Sequence, residues 1–369
     1  MTYNILNADN EFSIPPKLWE KMNANMSKDE IKQLLSDTIE QNSVPLPMRK
    51  ITLDDAKAEF VELLGKDYEP VMGEWFTRYE YSSKYPLTDM YFPTMREGNA
   101  TSDYFHQTNR WKCDSINSPS PYRTWTTEKF RLTLFNALWS LKVKEINANV
   151  LRSTIGLRKY IASQFRPSTA KAVYDYFSAK RVLDFSAGWG DRLSGFLASK
   201  EGISYTGIDP NLRLVDGYNA QVATFNKNKT VEFFHECAED VDLGERMFDM
   251  IFTSPPYFNI ERYTQEDNQS FKRYRKINDW NKLFLHKTLA HAWEHLEDGG
   301  VMVINISDVY SNHTINRICD DMNDFIASLP DSSYVGCCGY QMMKRPNSGA
   351  LKDKKGVFAE PMWIWTKAQ

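Results

Sequence analysis

The second half of this 369-residue chain alternates short apolar runs with amphipathic helical patterns, and this alternation limits the fold more than any other feature. Seven runs read as strands, and helical patterns separate several of them. In order, the runs are RVLDFS, SYTGIDP, VEFFHE, FDMIFTSPP, VMVINISDVY, YVGCCGYQMM and PMWIW. Strands of this kind indicate a mostly parallel sheet whose two faces are covered. We therefore predict one α/β domain over residues 151–369, with a seven-stranded, mostly parallel sheet and helices on both faces.

Residues 1–150 have a different texture and are predicted to form a helical, loop-rich accessory region. Ser27 and Thr52 each precede an acidic first turn and predict two helix starts. Residues 71–130 mix aromatic, arginine, proline, glycine and asparagine residues without a lasting period, which predicts mostly loop. We expect this region to contribute to target recognition; the alternative is that its aromatic stretch at 75–125 forms the core of a small accessory domain.

Composition and local patterns exclude several classes of protein. No apolar run approaches the roughly 18 to 20 residues that span a bilayer, which argues against a membrane protein. The N-terminus lacks the basic start and apolar run of a secretory signal, so we expect a cytoplasmic protein, in a bacterial or phage-infected cell or an equivalent compartment. A net charge of −3 excludes a wholly basic nucleic-acid coat but leaves room for local basic patches.

The sequence gives little reason to expect a bound metal. Its five cysteines show none of the paired CxxC spacings of zinc or redox sites. HAWEH at 291–295 matches the inverted zinc-protease pattern, but a five-residue match arises easily by chance and the helix lies between two strands. We predict that no metal is bound and that His291 and His295 lie on a solvated helix face.

The segment LDFSAGWGDR at 183–192 carries the first chemical signal. A strand ending in Asp184 runs into a turn containing Gly188 and Gly190, where the backbone can approach a ligand. The next strand ends in Asp209, suitably placed to accept hydrogen bonds from ribose hydroxyls. NAD is the competing cofactor, but Asp191 directly after the glycines would repel a diphosphate, whereas a sulfonium and an ammonium tolerate it. The pattern favours S-adenosylmethionine (AdoMet).

The second chemical signal is the corner Ser254-Pro255-Pro256-Tyr257, which follows the strand FDMIFT. Tandem prolines hold the backbone extended and supply carbonyls without N–H donors, which suits the binding of an NH₂ group. Hydrogen bonds from the amine to the Ser254 hydroxyl and a neighbouring carbonyl would aim the nitrogen lone pair at a methyl donor. Tyr257 is predicted to stack on an extruded base. The alternative is a strand that simply ends in a proline-rich turn.

These residues together resemble the class I AdoMet-dependent DNA amino-methyltransferases, whose fourth motif is (D/N/S)PP(Y/F). The resemblance covers about residues 150–369, implies a Rossmann-like methyltransferase sheet, and in TSPPY is most similar to the N4-cytosine branch. It implies catalytic roles for Ser254, Pro255, Pro256 and Tyr257, and cofactor contacts from Phe165, Asp184, Ser186, Gly188, Gly190, Asp209, Ala238 and Glu239. Cys237 departs from the pattern, since many members have aspartate there to hold the adenine amine.

Two basic stretches are candidates for nucleic-acid contact. The insertion after the proline corner, residues 259–280, interleaves aromatic residues with cations, which suits base stacking and phosphate neutralisation. The candidate phosphate contacts are Arg262, Lys272, Arg273 and Arg275. A solvated charged loop is the alternative, as it is for KRPNSGALKDKK at 344–355.

The resulting prediction is an enzyme that transfers a methyl group from AdoMet to the exocyclic amine of a flipped DNA base, cytosine N4 in preference to adenine N6. An RNA base or a protein side-chain amide is an alternative substrate, because the corner recognises a planar NH₂ and not its carrier. A nucleic-acid-binding module without turnover and an NAD oxidoreductase are further alternatives. The sequence does not determine an oligomeric state.

Overall fold

The computed structural model describes residues 3–311, 313–343 and 354–368, which form two compact units. The first comprises the described residues up to Lys50 together with Gln107–Ser163. The second comprises Ile51–His106 together with the described residues from Gln164 onward. The units do not follow the predicted division at residue 150, because residues 51–106 pack with the sheet-forming part of the chain. Most of the basic stretch 344–355 lies outside the described residues.

The helices are distributed along the whole chain. In chain order they are α1 (Pro16–Asn25), α2 (Lys28–Asn42), α3 (Leu53–Gly65), α4 (Asn99–Trp111), α5 (Pro121–Thr126), α6 (Glu128–Ser140), α7 (Ala148–Arg158), α8 (Pro167–Tyr176), α9 (Asp191–Ala198), α10 (Val215–Phe225), α11 (Ser270–Arg273), α12 (Ile277–Trp280), α13 (Lys287–Glu294) and α14 (Ile318–Ile326). A 3₁₀ turn at Leu212–Leu214 precedes α10, and a π-helical stretch at Asn281–His286 joins α12 to α13. Across the described residues, no helix is both long and apolar enough to cross a bilayer.

The strands are concentrated in the second unit. In chain order they are β1 (Ser13–Ile14), β2 (Val71–Met72), β3 (Trp75–Phe76), β4 (Leu87–Phe92), β5 (Asp114–Ser115), β6 (Ile146–Asn147), β7 (Arg181–Asp184), β8 (Ser204–Ile208), β9 (Thr230–Phe234), β10 (Phe248–Thr253), β11 (Glu261–Arg262), β12 (Leu296–Asn305), β13 (Val309–Ser311), β14 (Thr314–Asn316), β15 (Ser332–Gln341) and β16 (Val357–Lys367).

Both helix starts predicted near the N-terminus are confirmed. The Ser27 hydroxyl accepts a hydrogen bond from the Glu30 backbone N–H at 3.2 Å, and the Glu30 carboxylate accepts one from the Ser27 backbone at 2.7 Å. Thr52 and Asp55 form the same reciprocal cap at the start of α3. Such a cap satisfies two of the backbone donors that a helix start leaves without intrahelical partners.

The first unit is helical and has an apolar core of its own. The helix α2 buries Ile31, Leu35 and Ile39 in this core, where they lie with Trp19 and Phe135. The short strands β1 and β6 pair antiparallel. The periodic spacing of the apolar residues in α2 explains why one face of this helix is buried.

The second unit contains a ten-stranded sheet with helices around it. The order across the sheet is β2-β4-β15-β16-β12-β10-β7-β8-β9, and β3 pairs with β16 off this path. The run from β12 through β10, β7 and β8 to β9 is parallel, whereas β16 lies antiparallel between β12 and β15. All seven predicted strands are present, so the mixed α/β, Rossmann-like fold is confirmed.

The expectation of mostly loop over residues 71–130 is wrong, because residues 71–92 contain three strands and residues 99–126 contain the helices α4 and α5. Residues 71–92 supply β2, β3 and β4, which extend the sheet beyond the seven predicted strands. β4 pairs parallel with β15 and antiparallel with β2. Pairing with an existing sheet stabilises these strands, and such tertiary contacts override a weak local pattern.

The parallel strands bring the two predicted chemical signals to one edge of the sheet. β7 ends at Asp184 and its parallel neighbour β10 ends at Thr253, directly before the proline corner. From β7 the chain continues outward to β8 and β9, whereas β12 lies on the other side of β10. This reversal of strand order creates a crevice at the carboxyl ends of the strands, which is where open α/β sheets bind ligands.

Candidate active site

The glycine turn after β7 has the backbone geometry that the sequence predicts. Gly188 and Gly190 have φ angles of 61° and 72°, a region that residues with a Cβ rarely adopt. A Cβ at Gly190 would lie 2.3 Å from Oε1 of Gln221, so a larger residue would also force the Gln221 side chain to move. Asp191 then begins α9. The turn therefore presents backbone atoms, and not side chains, at the edge of the sheet.

Asp184 is completely buried and is held by its own neighbours. Its Oδ2 accepts hydrogen bonds from Arg192 Nε at 2.8 Å and from the Tyr205 hydroxyl at 2.7 Å, and its Oδ1 accepts one from Arg192 Nη2 at 3.1 Å. Arg192 also donates to the carbonyl of Ser186. Through these contacts Asp184 and Arg192 stabilise the turn. The contact of Asp184 with a cofactor stays a prediction.

Asp209 joins the second strand end to the glycine turn. Its Oδ2 accepts a hydrogen bond from the Gly188 backbone N–H at 2.9 Å, and its Oδ1 accepts one from the Asn211 N–H at 2.9 Å. Burial raises the pKa of Asp209 to about 6, and these two backbone hydrogen bonds oppose the shift. The structure thus brings together two of the residues predicted to hold the cofactor.

Phe165 lies beneath the same edge within an aromatic cluster. Its ring stacks on Tyr340 with centroids 4.5 Å apart and meets Phe252 of β10 edge-on at 5.6 Å. The guanidinium of Arg192 lies 5.5 Å from the centroid of the Phe165 ring. Phe165 is 8% exposed, and its ring packs against β10, the strand that leads into the proline corner, and against β15.

Glu239, predicted to contact adenine, is paired with Arg273, predicted to contact nucleic acid. Arg273 Nη1 donates to Glu239 Oε1 at 2.5 Å, and Nη2 donates to Asp240 Oδ2 at 2.7 Å. Glu239 and Ala238 are both buried, and burial raises the pKa of Glu239. Because each residue is the other's partner, a contact of Glu239 with adenine or of Arg273 with a phosphate would have to share this ion pair. Both roles stay predictions.

The insertion after the proline corner lies against the predicted cofactor segments. Tyr263 packs on Trp189 of the glycine turn with ring centroids 5.7 Å apart. Asn268 Nδ2 donates to the carbonyl of Pro210 at 2.8 Å, and the Asn268 carbonyl accepts a hydrogen bond from the thiol of Cys237 at 3.3 Å. Sequence reasoning assigned this insertion to nucleic acid, and its contacts with the cofactor side were missed.

The remaining cations of the insertion differ in their contacts within the protein. Lys272 donates to the carbonyl of Gln265 and lies 3.4 Å from the carboxylate of Asp267. The Arg262 guanidinium lies 5.9 Å from the centroid of the Phe271 ring. Arg275 is exposed. Of the four predicted phosphate contacts, Arg275 is thus best placed to meet a polyanion, because Arg273 and Lys272 already have carboxylate partners.

The proline corner has two hydroxyl groups with defined partners. Ser254 Oγ lies 3.3 Å from Asn305 Oδ1, and the Tyr257 hydroxyl donates to Glu360 Oε2 at 3.1 Å. Asn305 Nδ2 donates to the carbonyl of Pro361 at 3.1 Å. Burial, followed by the nearby Glu360 carboxylate, raises the pKa of Tyr257 well above its usual range, and burial raises the pKa of Glu360 as well.

Sequence reasoning missed three residues of this edge: Arg192, Asn305 and Glu360. Arg192 stands directly after the glycine turn, and Asn305 closes β12 as Asp184 closes β7. A polar residue at the carboxyl end of a buried strand is a usable signal, and it would have identified Asn305. Glu360 carries no such signal, because only the antiparallel return of β16 brings it to this edge.

Metal-ligand groups are scarce and already engaged. Among the described residues, Cys237, Glu239 and Asp240 form the one group of ligand type, with ligand atoms within 4.8 Å of one another. Both carboxylates are paired with Arg273, and Asp240 also accepts from Lys287 at 2.9 Å. These cations occupy the positions in which a metal ion would neutralise the carboxylates.

Comparison with known proteins gives one family match and several solved structures. Residues 248–369 match the family model described as DNA methylase. An rRNA methylase from Streptococcus thermophilus is 12% identical, with a TM-score of 0.35, over 56% of this chain and 100% of that one. A SAM-dependent O-methyltransferase from Thermotoga maritima is 12% identical, with a TM-score of 0.36, over 56% and 68%. TrmN from Thermus thermophilus is 12% identical, with a TM-score of 0.36, over 55% and 48%.

No curated protein matches the chain. The family match begins with β10 and includes the proline corner, Asn305 and Glu360. Residues 248–369 are thus similar to the DNA methylase family over a third of the chain, which confirms the resemblance inferred from TSPPY.

Proposed function

We propose that the protein transfers a methyl group from AdoMet to the exocyclic amine of a flipped DNA base, cytosine N4 in preference to adenine N6. The observation that carries this proposal is the position of the proline corner. Ser254 follows β10, whose parallel neighbour β7 leads into the glycine turn, so a target amine and a methyl donor would meet at one sheet edge. The serine in TSPPY supports cytosine, because it resembles the N4-cytosine branch.

The residues around the glycine turn fit AdoMet. The positive φ of Gly188 leaves its Cβ position open to a ligand, with no atom nearer than the Ser186 carbonyl at 3.6 Å. Two buried polar atoms at the same edge, His235 Nδ1 after β9 and Thr253 Oγ1 at the end of β10, have no hydrogen-bond partner among the described residues. Buried polar groups normally have partners, so these atoms support a polar ligand in this crevice.

Each part of the edge would then have one task. Asp209 would accept hydrogen bonds from the ribose hydroxyls, and Ala238 and Glu239 would flank the adenine. AdoMet supplies an electrophilic methyl group on a sulfonium. Ser254 Oγ and a carbonyl of the corner would accept the two amine hydrogens, which turns the nitrogen lone pair out of conjugation with the ring. Tyr257 would stack on the base, and this positioning would supply most of the rate acceleration.

Transfer of the methyl group leaves a cationic nitrogen, which loses a proton to solvent. This order of events needs neither a covalent intermediate nor a strong general base. The target base must leave the duplex, which costs a few kcal/mol that stacking and hydrogen bonds in the pocket offset.

Nucleic-acid contacts are proposed for the insertion and for the N-terminal region. Arg275 would neutralise a phosphate, with Arg262, Lys272 and Arg273 as further candidates, and residues 1–150 would contribute to target recognition. We place the protein in the cytoplasm, where DNA and AdoMet are both present. Methylation that protects DNA from a restriction nuclease is a fitting role for such an enzyme.

The proposal is tested by measuring methyl transfer from radiolabelled AdoMet to DNA, RNA and protein in parallel. We expect label in DNA, and mass spectrometry of the digested product should show N4-methylcytosine. Label confined to RNA or to protein amides would replace DNA as the substrate while keeping the chemistry. If no acceptor is labelled, calorimetry with AdoMet distinguishes a methyltransferase that lacks its substrate from a module without cofactor affinity, which would give no heat.

A further inference from the structure

The side-chain amide of Asn305 has a fixed orientation beside the proline corner. Asn305 is 2% exposed, and its Nδ2 donates to the carbonyl of Pro361 at 3.1 Å. A carbonyl oxygen only accepts hydrogen bonds, so a flipped amide would place two acceptors against each other. Oδ1 must therefore face Ser254, whose Oγ lies 3.3 Å away.

This orientation decides which way the Ser254 hydroxyl points. A hydroxyl has one proton and two lone pairs, and Asn305 Oδ1 can only accept. The proton of Ser254 is thus directed to acceptors of the protein itself, Asn305 Oδ1 and the Tyr257 hydroxyl oxygen, and the lone pairs of Oγ remain for a bound molecule. Pro255 and Pro256 contribute no N–H donor to the corner.

The second hydroxyl of the corner is committed in the same way. The Tyr257 hydroxyl donates its proton to Glu360 Oε2 at 3.1 Å. Glu360 reaches this position because β16 returns antiparallel beside β12, with Asn305 opposite Met362. Arg78 and Glu261 are the other charged groups close enough to affect Glu360, and they act in opposite directions on it. The Tyr257 hydroxyl is also a hydrogen-bond partner of Ser254, so it acts on a bound base through Ser254 while its ring stays available for stacking. With the Tyr257 proton committed to Glu360, neither hydroxyl of the corner offers a proton to a bound molecule.

We infer that Asn305 and Glu360 are specificity-determining positioning residues, which commit the protons of Ser254 and Tyr257 so that the corner accepts hydrogen bonds and donates none. Such a corner binds an amino group and rejects a carbonyl oxygen in the same place. It would admit cytosine and reject uracil, and it would admit adenine and reject hypoxanthine. This inference rests on the proposed function and extends it to the choice between amino and oxo bases.

The discrimination between amino and oxo bases is expected to be large, because an oxo base leaves polar groups of the pocket without hydrogen-bond partners. A keto oxygen facing only acceptors gains no hydrogen bond and leaves the lone pairs of the pocket without donors. Sites that require a hydrogen bond from the substrate discriminate by large factors, so we expect at least about 100-fold between the amino and oxo bases. Removal of Asn305 frees the Ser254 proton to donate to the keto oxygen, which should reduce this factor at least about tenfold.

The test uses two duplexes that differ only at the mapped target base. One carries the amino base, and the other carries its oxo counterpart, uracil for cytosine or hypoxanthine for adenine. The oxo duplex is titrated as an inhibitor of methyl transfer to the amino duplex. The measured quantity is the ratio of its inhibition constant to the KM of the amino duplex, and the KM for AdoMet is recorded alongside.

Two matched pairs of variants distinguish the loss of an acceptor for a hydroxyl proton from general structural damage. Asn305→Ala removes the acceptor for Ser254. Asn305→Asp is the matched partner: burial favours its neutral acid, whose O–H can donate to the Pro361 carbonyl while its C=O still accepts from Ser254. Glu360→Ala frees the Tyr257 proton, whereas Glu360→Ala combined with Tyr257→Phe removes that proton altogether. We expect the ratio to fall in Asn305→Ala and in Glu360→Ala and to be retained in each matched partner, with the KM for AdoMet unchanged.

An unchanged ratio in Asn305→Ala and Glu360→Ala, with only kcat lowered, would overturn the inference. If Asn305→Ala does not fold, as judged by thermal melting, the Glu360 pair decides alone. Failure of the proposed function has a different signature, because the wild-type protein would then methylate no nucleic acid and no ratio would exist to compare.

Discussion

The two halves of the proposed catalytic edge organise their polar groups by different means. On the cofactor half, at the ends of β7, β8 and β9, buried carboxylates are matched by cations or backbone N–H groups, as in the pairs of Asp184 with Arg192 and of Glu239 with Arg273. On the proposed target half, at the carboxyl ends of β10 and β12 and in the first part of β16, hydroxyls are matched by acceptors, as in the pair of Ser254 with Asn305.

This difference fits the molecules that each half would bind. Ion pairs and charge-assisted hydrogen bonds are strong, so they suit a turn that must hold one shape around a charged cofactor. Neutral hydroxyls with committed protons suit the recognition of an uncharged amine, because they define polarity without adding a charge. The comparison predicts that variants on the cofactor half change stability or AdoMet affinity, whereas variants on the target half change turnover.

The largest expected effect on stability is that of Arg192→Met. Asp184 is 0% exposed, so loss of its cation leaves an unpaired buried carboxylate, which we expect to cost about 3 to 5 kcal/mol in the free energy of unfolding. Chemical denaturation measures the change. The double variant Asp184→Asn with Arg192→Met removes both charges and should recover much of the loss. An Arg192→Met variant as stable as wild type would show that this ion pair does not stabilise the turn.

On the target half, Tyr257→Ala should abolish methyl transfer while AdoMet affinity stays nearly the same. Stacking of a base on an aromatic ring contributes about 1 to 3 kcal/mol, and the partner of Glu360 is lost as well. We expect kcat/KM for DNA to fall at least about 100-fold. Single-turnover kinetics and calorimetry with AdoMet give the two readouts. Surviving turnover would show that the corner is not the base pocket.

Asp209→Ala tests the cofactor half through binding. Loss of charge-assisted hydrogen bonds to the ribose should weaken AdoMet binding by about 1 to 3 kcal/mol. Calorimetry measures this difference, and the Tyr257→Ala variant serves as its matched control on the other half. Unchanged affinity in Asp209→Ala would remove this carboxylate from the site.

The pH dependence of AdoMet binding gives a second test of Asp209. Burial raises its pKa to about 6 in the free protein, and an ionised carboxylate is the better acceptor for ribose hydroxyls. Protonation therefore competes with binding, so the affinity should level off about one pH unit above this pKa and fall by up to about tenfold per unit below it. Asp209→Asn should lack this inflection, and an identical profile in both proteins would assign the titration to another group.

The smallest expected effect comes from the exposed cation of the insertion. Arg275→Glu should weaken DNA binding and reduce the slope of log affinity against log salt by about 1 or more. Lys227→Glu is the matched control, because this exposed cation lies before β9, at the opposite edge of the sheet. Arg273→Glu should act mainly on the cofactor half, since Arg273 pairs with Glu239. Equal salt slopes for Arg275→Glu and wild type would show that Arg275 makes no phosphate contact and is only a solvated surface residue.

The sequence predicts the sheet and the meeting of its motifs because both depend on local pattern. Apolar runs identify the parallel strands, and the carboxyl ends of parallel strands share an edge, which places Asp209 against Gly188. The partners of these residues are harder to predict. Ser254 meets Asn305 and Tyr257 meets Glu360 across 51 and 103 residues, and only the register of β12 and β16 defines those contacts.

The edge strands and the insertion show a second limit of local reasoning. β4 is a strand because β15 is available to pair with it. Its own sequence lacks a persistent period from which a strand could be predicted. The insertion has the composition of a nucleic-acid contact, yet its Tyr263 and Asn268 lie against the cofactor segments. Composition identifies what a loop can bind, whereas packing decides which side of the crevice it faces.

Base-resolution mapping of DNA from a methylation-free host that expresses the protein tests the central claim most directly. We predict a methylated exocyclic amine, N4-methylcytosine in preference to N6-methyladenine, at defined sites with the wild-type protein and none with Tyr257→Ala. Unmodified DNA from cells that contain folded, AdoMet-binding wild-type protein would contradict it.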